Sequence, residues 1–263
     1  MYQERAAVAV PGAVLWTRRT GPGGEQVRVL PDGCMDLLWM GGVLAVAGPD
    51  TVAHVGESTA GESITGLRFA PGTAVSVLSV PAWELRDRRV ALDGLWPDRV
   101  VRELTERVGT AADPGAELEA VASAWRRGVE PDRDRVRAGV LDGLRRGVRV
   151  AALADELGLS ERQLRRRCLE VFGYGPKVLD RVLRLDRALV AARGGAPFAL
   201  VAADAGYADQ PHLAREVRAL AGVPLGELLG EPAADGWEPA PVDQDGSGAK
   251  RSVGLPSGSR TTA

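Results

Sequence analysis

The sequence predicts an α+β chain: a β-rich N-terminal domain, an antiparallel sheet or small barrel, followed by an all-α domain holding two helix-turn-helix motifs. Three observations predict it. Up to about residue 90, short apolar runs alternate with Gly and Pro at close intervals, the texture of an antiparallel sheet. From Asp98 onward the apolar residues recur at helical spacing. The pattern of Val150–Leu169 then returns at Ala202–Val217 with one long helix between the two copies. The expected organisation is a sheet domain over residues 1–130, a helical domain over 133–230 and a tail over 231–263.

The strands are expected at Ala13–Thr17, Gln26–Leu30, Met35–Met40, Val43–Ala47, Val52–Val55 and Ile64–Phe69. Pro31-Asp32-Gly33 reads as a turn, because Pro fixes one dihedral and Gly supplies a positive one. Ala74–Val80 fits a short helix or a strand equally well. Val100, Val101, Leu104 and Val108 form an apolar stripe, and Leu118, Val121, Ala122 and Trp125 form another. These two helices pair, either to close the N-terminal domain or to form a dimer face; stripe width alone does not separate the two. Gly128–Asp132 reads as a linker.

Within the helical domain, Val136, Val140 and Leu144 mark a first helix. Leu153, Ala154 and Leu157 line the next, which Gly158 can end in the left-handed conformation. Ser160 can cap the following helix through its side-chain oxygen. Leu164 and Cys168 then face inward, while Arg162, Arg165 and Arg166 face outward. This is the pattern of a DNA-binding helix-turn-helix; the plainer reading is a helical hairpin with a solvated basic face. Val178, Val182, Leu185 and Leu189 line a long helix that stops at Gly194-Gly195. Ala202 and Gly206 repeat the spacing of Ala154 and Gly158, Asp209 can cap, and Leu213 and Val217 face inward. If Leu213 answers Leu164, the second turn is one residue longer, and Gln210, His212 and Arg215 point outward. The tail, rich in Gly, Pro, Ser and Asp, is expected to be disordered.

Net charge is −2, but its distribution is uneven. Arg133–Arg193 carries 15 Lys and Arg against 8 Asp and Glu, whereas Gly194–Gly230 carries 2 against 4. A basic segment inside a near-neutral chain is the footprint of a phosphate-contacting region. Cys34 and Cys168 have neither metal-ligand spacing nor a disulfide framework, so no metal or cofactor is expected and a reducing cytoplasm suits them. No signal peptide and no membrane-spanning run is read.

The C-terminal residues resemble the AraC/XylS family of bacterial transcription regulators over Arg133–Gly230. The most specific stretch is AADAGYADQPHLAREVRALAGVPL, where Gly206, Tyr207, Asp209, Gln210, His212, Arg215 and Gly222 fit the family's pattern. Pro211 stands where the family usually has Ser, Leu213 replaces an aromatic residue, and Pro224 comes one place early. The N-terminal half resembles a poorly characterised domain found fused to such modules. It does so through LPDGCMDLLW at Leu30–Trp39, GLRFAPG at Gly66–Gly72, VPAWEL at Val80–Leu85 and LxxLW at Leu92–Trp96. The resemblance implies a β-rich sensor or oligomerisation domain, cupin-like in some relatives, and no particular ligand.

The expected function is therefore sequence-specific binding of double-stranded DNA by a transcription regulator. Arg can donate two hydrogen bonds to guanine, so Arg162 and Arg166 are assigned to bases. Arg165 and Arg167 are assigned more to the backbone, with Ser160 beside them. In the second copy Gln210 suits adenine, Arg215 a base or phosphate, and His212 packing or phosphate more than a base. A small-molecule effector, a homodimer and contact with RNA polymerase are further expectations; Trp16, Trp39, Trp83 and Trp96 are candidates to line an effector pocket or are simply core. One rival is a ligand-independent architectural protein, to be separated by whether the sheet domain encloses an apolar pocket. The other rival is an enzyme built on His54 with Asp36, Asp50 or Glu57, or on Cys34. It is disfavoured because one histidine cannot make a cupin metal site, Cys34 has no His partner in sequence, and the four-cysteine zinc cluster of DNA-alkyl-repair relatives is absent.

Overall fold

The computed structural model describes residues 1–126, 131–230 and 252–253. A six-stranded antiparallel sheet takes the order β1-β2-β7-β4-β5-β8. Its strands are β1 (Tyr2–Ala6), β2 (Val14–Arg19), β4 (Met35–Met40), β5 (Val43–Ala47), β7 (Ser63–Phe69) and β8 (Arg89–Ala91). A second sheet pairs β3 (Glu25–Val29) with β6 (His54–Ser58), and β9 (Ser252–Val253) adds to β3. The large sheet ends at β1 and β8 and does not close on itself.

Register sorts the side chains to two faces with period two. Leu15, Leu67, Leu37 and Val46 stand opposite one another across four strands, and all are buried. On the other face, Trp16, Leu38 and Ile64 pack with Val27 of the small sheet. Trp16 lies so close over Gly66 that a Cβ there would collide with its ring, so this position in β7 requires glycine.

Helices cover the first face: α1 (Val75–Leu78), α2 (Asp98–Thr110) and α3 (Pro114–Trp125). The undecided Ala74–Val80 stretch is thus a helix. Val101, Leu104 and Val108 of α2, with Leu118, Val121 and Ala122 of α3, share one core with the sheet. Of the two roles expected for this pair, closing the sheet domain is the one their burial fits. Glu119 of α3 is buried and accepts hydrogen bonds from the Val8 and Ala9 N–H groups, with Arg5 at 2.6 Å. Burial pushes its carboxyl up, but these donors outweigh burial and leave it below the usual range.

The helical half comprises α4 (Pro131–Arg145), α5 (Val150–Glu156), α6 (Glu161–Phe172), α7 (Pro176–Arg193), α8 (Phe198–Asp204), α9 (Gln210–Ala221) and α10 (Leu225–Gly230). Leu179 and Val182 of α7 pack with α4, α5 and α6, whereas Leu185, Ala188 and Leu189 pack with α8, α9 and α10. One helix therefore serves as a wall of both cores. Most of the expected Gly128–Asp132 linker, and the expected disordered tail apart from Ser252–Val253, lie outside the described residues.

Candidate nucleic-acid interface

The two helical bends are closed by the same backbone device. Gly158 and Gly206 have positive φ, +67° and +81°. The Leu159 N–H reaches the Ala154 carbonyl at 2.9 Å, and the Tyr207 N–H reaches the Ala202 carbonyl at 2.8 Å. These are the long closing bonds of a Schellman end. Each following helix is capped by a side chain. Ser160 and Gln163 form a reciprocal capping box, and Asp209 accepts from the His212 N–H at 2.6 Å. Pro211 sits in the first turn of α9, where a missing N–H is tolerated.

Leu164 and Cys168 are fully buried, as are Leu213 and Val217 at the answering positions. Burial alone pushes the Cys168 thiol up to about 12, so this sulfur acts as packing. Arg162, Arg165 and Arg166 are exposed, and Ser160 lies exposed beside them. Arg166 has only a 3.9 Å approach to Glu170 on its own helix. Arg167 differs, being half-buried and engaged in an interaction of its own. On α9, Gln210 and Arg215 are exposed. Arg218, which the sequence reading passed over, is exposed one turn beyond Arg215.

His212 is engaged inside the protein. Its Nδ1 accepts from the Ala208 N–H at 3.2 Å, and its ring meets Tyr207 edge-on at 5.4 Å. Ala208 is the extra residue of the longer second turn, so His212 satisfies the backbone group which that residue adds.

Both helices that follow the bends, α6 and α9, are seated on the sheet domain by their C-terminal ends. At α6, a Cβ on Gly173 would lie 2.6 Å from Pro49 and 3.0 Å from the Ala82 carbonyl, and one on Gly72 would lie 2.5 Å from Val171. At α9, the Ala53 N–H donates to the Leu220 carbonyl at 2.6 Å and Arg28 donates to the Ala221 carbonyl at 2.8 Å. Leu30 is buried in the core of the second helical unit. Two segments of the sheet domain, 28–33 running out of β3 and the loop 48–53, thus reach the far ends of these helices. Their N-terminal turns, carrying Arg162 and Gln210, lie at the opposite ends.

The four tryptophans do not converge. Trp16 donates to Asp36 at 2.7 Å; Trp96 stacks on Trp125 at 4.3 Å and donates to the Leu78 carbonyl. Trp39 packs toward Gly109 of α2, and Trp83 is 49% exposed. Trp16 alone of the four lines the small cavity among Asp32, Asp36, Asp50, Arg68 and Arg89, whose volume is about 10 Å³, room for about one water. Asp50 holds Arg89 through two bonds of 2.6 and 2.8 Å, while burial pushes its carboxyl up. Among the described residues no group of three or more His, Cys, Asp or Glu side chains is placed to hold a metal. No helix among them is long and apolar enough to cross a membrane.

Residues 153–230 match the family model described as a helix-turn-helix domain. The chain carries an AraC-type helix-turn-helix domain. Residues 13–91 match a domain of unknown function, DUF6597. With its two capped bends and exposed arginines, the AraC-type domain makes the chain a DNA-binding transcription regulator. Comparison with curated proteins finds no match. Among solved structures, ToxT from Vibrio cholerae O395 is similar, with a TM-score of 0.47 and 12% identity, covering 87% of this chain and 96% of ToxT. An apo ToxT variant from strain SCE256 gives 0.47 and 11% over 84% of this chain and 97% of that one.

Proposed function

We propose that this chain reads a specific duplex sequence with α6 and α9 in successive major-groove turns, and that its sheet domain sets how the two helices are presented. Arg162 and Arg166 take base edges, Arg165 takes the backbone, and Gln210 and Arg215 do the reading in the second unit. The carrying observation is the exposed stripe of Arg162, Arg165 and Arg166 on a helix whose start is fixed by a capping box. The shared helix α7, 18 residues long, spans about 27 Å at 1.5 Å per residue. That is close to the roughly 34 Å between successive major-groove faces. Because phosphates carry much of the affinity, binding falls steeply with salt.

The test is selection of bound fragments from random duplex DNA by the full chain, repeated with Arg162→Ala/Arg166→Ala. The variant is expected to lose sequence preference. Selection of the same sites with unchanged affinity would remove α6 from the reading role.

A second reading adds a small polar effector that switches this presentation. One observation favours it: Asp32 and Asp50, on the two loops that seat α6 and α9, both line the charged cavity. That cavity is water-sized and polar, so a ligand must displace Arg89 from Asp50 to enter. A screen of small charged metabolites by thermal shift, with Asp50→Asn as the control, tests this reading separately from DNA recognition.

A further inference from the structure

The segment Pro81–Arg88 of the sheet domain lies along α6. Its 3-10 turn, Ala82–Glu84, packs on that helix, and an open groove of about 380 Å³ separates them. Trp83 and Arg86 form one wall; Arg165, Arg166, Leu169 and Glu170 form the other. The segment is held in an unusual way. Ser79 and Asp87 bracket it, with φ of +59° and +57°, and they are the non-glycine residues of positive φ among the described residues. Such conformations persist only where surrounding contacts impose them. Here Asp87 accepts from the Thr51 N–H at 2.6 Å and from the Thr51 hydroxyl at 2.9 Å.

The result is three guanidinium groups around one solvent-filled groove. Two carboxylates stand beside them and leave the three cations in excess by one. Glu170 stands 3.9 Å from Arg166, and Asp87, already bonded to Thr51, stands 3.8 Å from Arg86. Like charges facing one groove repel, and an anion between them removes the repulsion. Trp83 is a large apolar side chain left half in water at the mouth, with an indole N–H that can only donate.

We infer that Trp83 and Arg86 extend the DNA interface into the sheet domain, and that the groove receives the sugar–phosphate backbone flanking the major groove that α6 reads. Arg86 and Arg165 then hold phosphate oxygens from opposite sides, and the indole covers the sugar edge. These contacts add affinity without reading bases. The inference rests on α6 being the reading helix.

The experiment measures binding of the full chain and of Arg86→Gln over a salt series, on the duplex selected by the native chain and on a scrambled duplex. Arg86 is exposed, and the ion pair it makes with Asp87 is at the surface and long, so the substitution is expected to cost little stability. Arg86→Gln is expected to weaken both duplexes alike and to lower the slope of log affinity against log salt by about 1. Trp83→Phe is expected to weaken both duplexes while leaving the slope unchanged. An unchanged affinity and slope for Arg86→Gln would overturn the inference, and tighter binding would mean that this segment obstructs DNA. If Arg162→Ala/Arg166→Ala abolishes sequence preference while Arg86→Gln changes nothing, this inference alone fails. If neither variant changes anything, the reading-helix assignment fails first.

Discussion

The two helix-turn-helix units share one backbone and carry different surfaces. With Leu213 answering Leu164, Pro211, Ala214, Arg215 and Glu216 stand where the first unit has Arg162, Arg165, Arg166 and Arg167. The inward positions keep their apolar character, and the Schellman ends and N-caps recur. What constrains folding is thus repeated, and what faces solvent is free to diverge. Glu216 shows this divergence directly: it turns to α7, where it meets Arg181 at 2.8 and 3.3 Å. On the proposed reading, this difference gives α6 most of the electrostatic affinity and most of the base contacts, and leaves α9 a smaller share of both.

The largest expected effect breaks this comparison most directly. Two bidentate base contacts are worth about 2–6 kcal/mol of discrimination together. Arg162→Ala/Arg166→Ala should therefore cut the preference for the selected duplex over a scrambled one by about thirtyfold or more. Gln210→Ala/Arg215→Ala should cost less in total affinity and flatten the salt slope less. Fluorescence anisotropy across a salt series measures both. A larger loss in slope from the second pair would reverse the division of labour.

Seating on the sheet domain separates the units next. Gly173 and Gly222 end α6 and α9 in the same left-handed conformation, φ +83° and +79°. A Cβ at Gly222 meets only the tip of Arg28 at 3.3 Å, and that flexible side chain can move. At Gly173 it meets Pro49 at 2.6 Å and the Ala82 backbone at 3.0 Å. Gly222→Ala should thus cost about the 1–2 kcal/mol of a left-handed alanine. Gly173→Ala should cost more and shift α6 on the sheet domain. Chemical denaturation ranks the two; equal losses would mean that the seat of α6 yields as easily as that of α9.

The caps come third. Ser160→Ala and Asp209→Ala should each lower stability by about 1 kcal/mol. Asp209→Ala should lose somewhat more, because the His212 that it positions also braces Ala208. His212→Ala, measured in the Asp209→Ala background, should then be nearly silent if the two act as one brace.

These contrasts also mark where the sequence was legible. Gly158, Ser160, Gly206 and Asp209 act within a few residues of themselves, so spacing alone reveals them. The inward leucines follow from helical period in the same way. The strand β1 escaped notice because Tyr2–Ala6 is an edge strand, mostly exposed, with no apolar alternation to read. The longer second turn was visible as a spacing, but its brace was not, since His212 reaches back across a turn whose shape sequence does not show. The docking of the two halves was invisible for a deeper reason. Leu30 to α9, Ala53 to Leu220 and Pro49 to Gly173 are contacts across more than a hundred residues, and nothing periodic connects their partners. For the same reason Trp83 looked interchangeable with the other tryptophans until its place beside Arg165 was known.

The smallest expected effect tests how far facing direction, rather than charge alone, decides which residues read DNA. Arg167 and Glu216 occupy answering positions, carry opposite charges and are both half-buried; Glu216 meets Arg181, and Arg167 has an interaction of its own. If direction decides, neither charge enters the groove. Arg167→Gln and Glu216→Gln should then each change stability by less than about 1 kcal/mol, the range of charged contacts that are only half-buried. Neither should alter which duplexes are selected, and both should leave the salt slope within about half a unit, far from the loss of one phosphate contact. A slope lowered by a full unit in Arg167→Gln would place this arginine on the backbone, as its place in the basic run first suggested, and would mean that α6 turns on binding DNA.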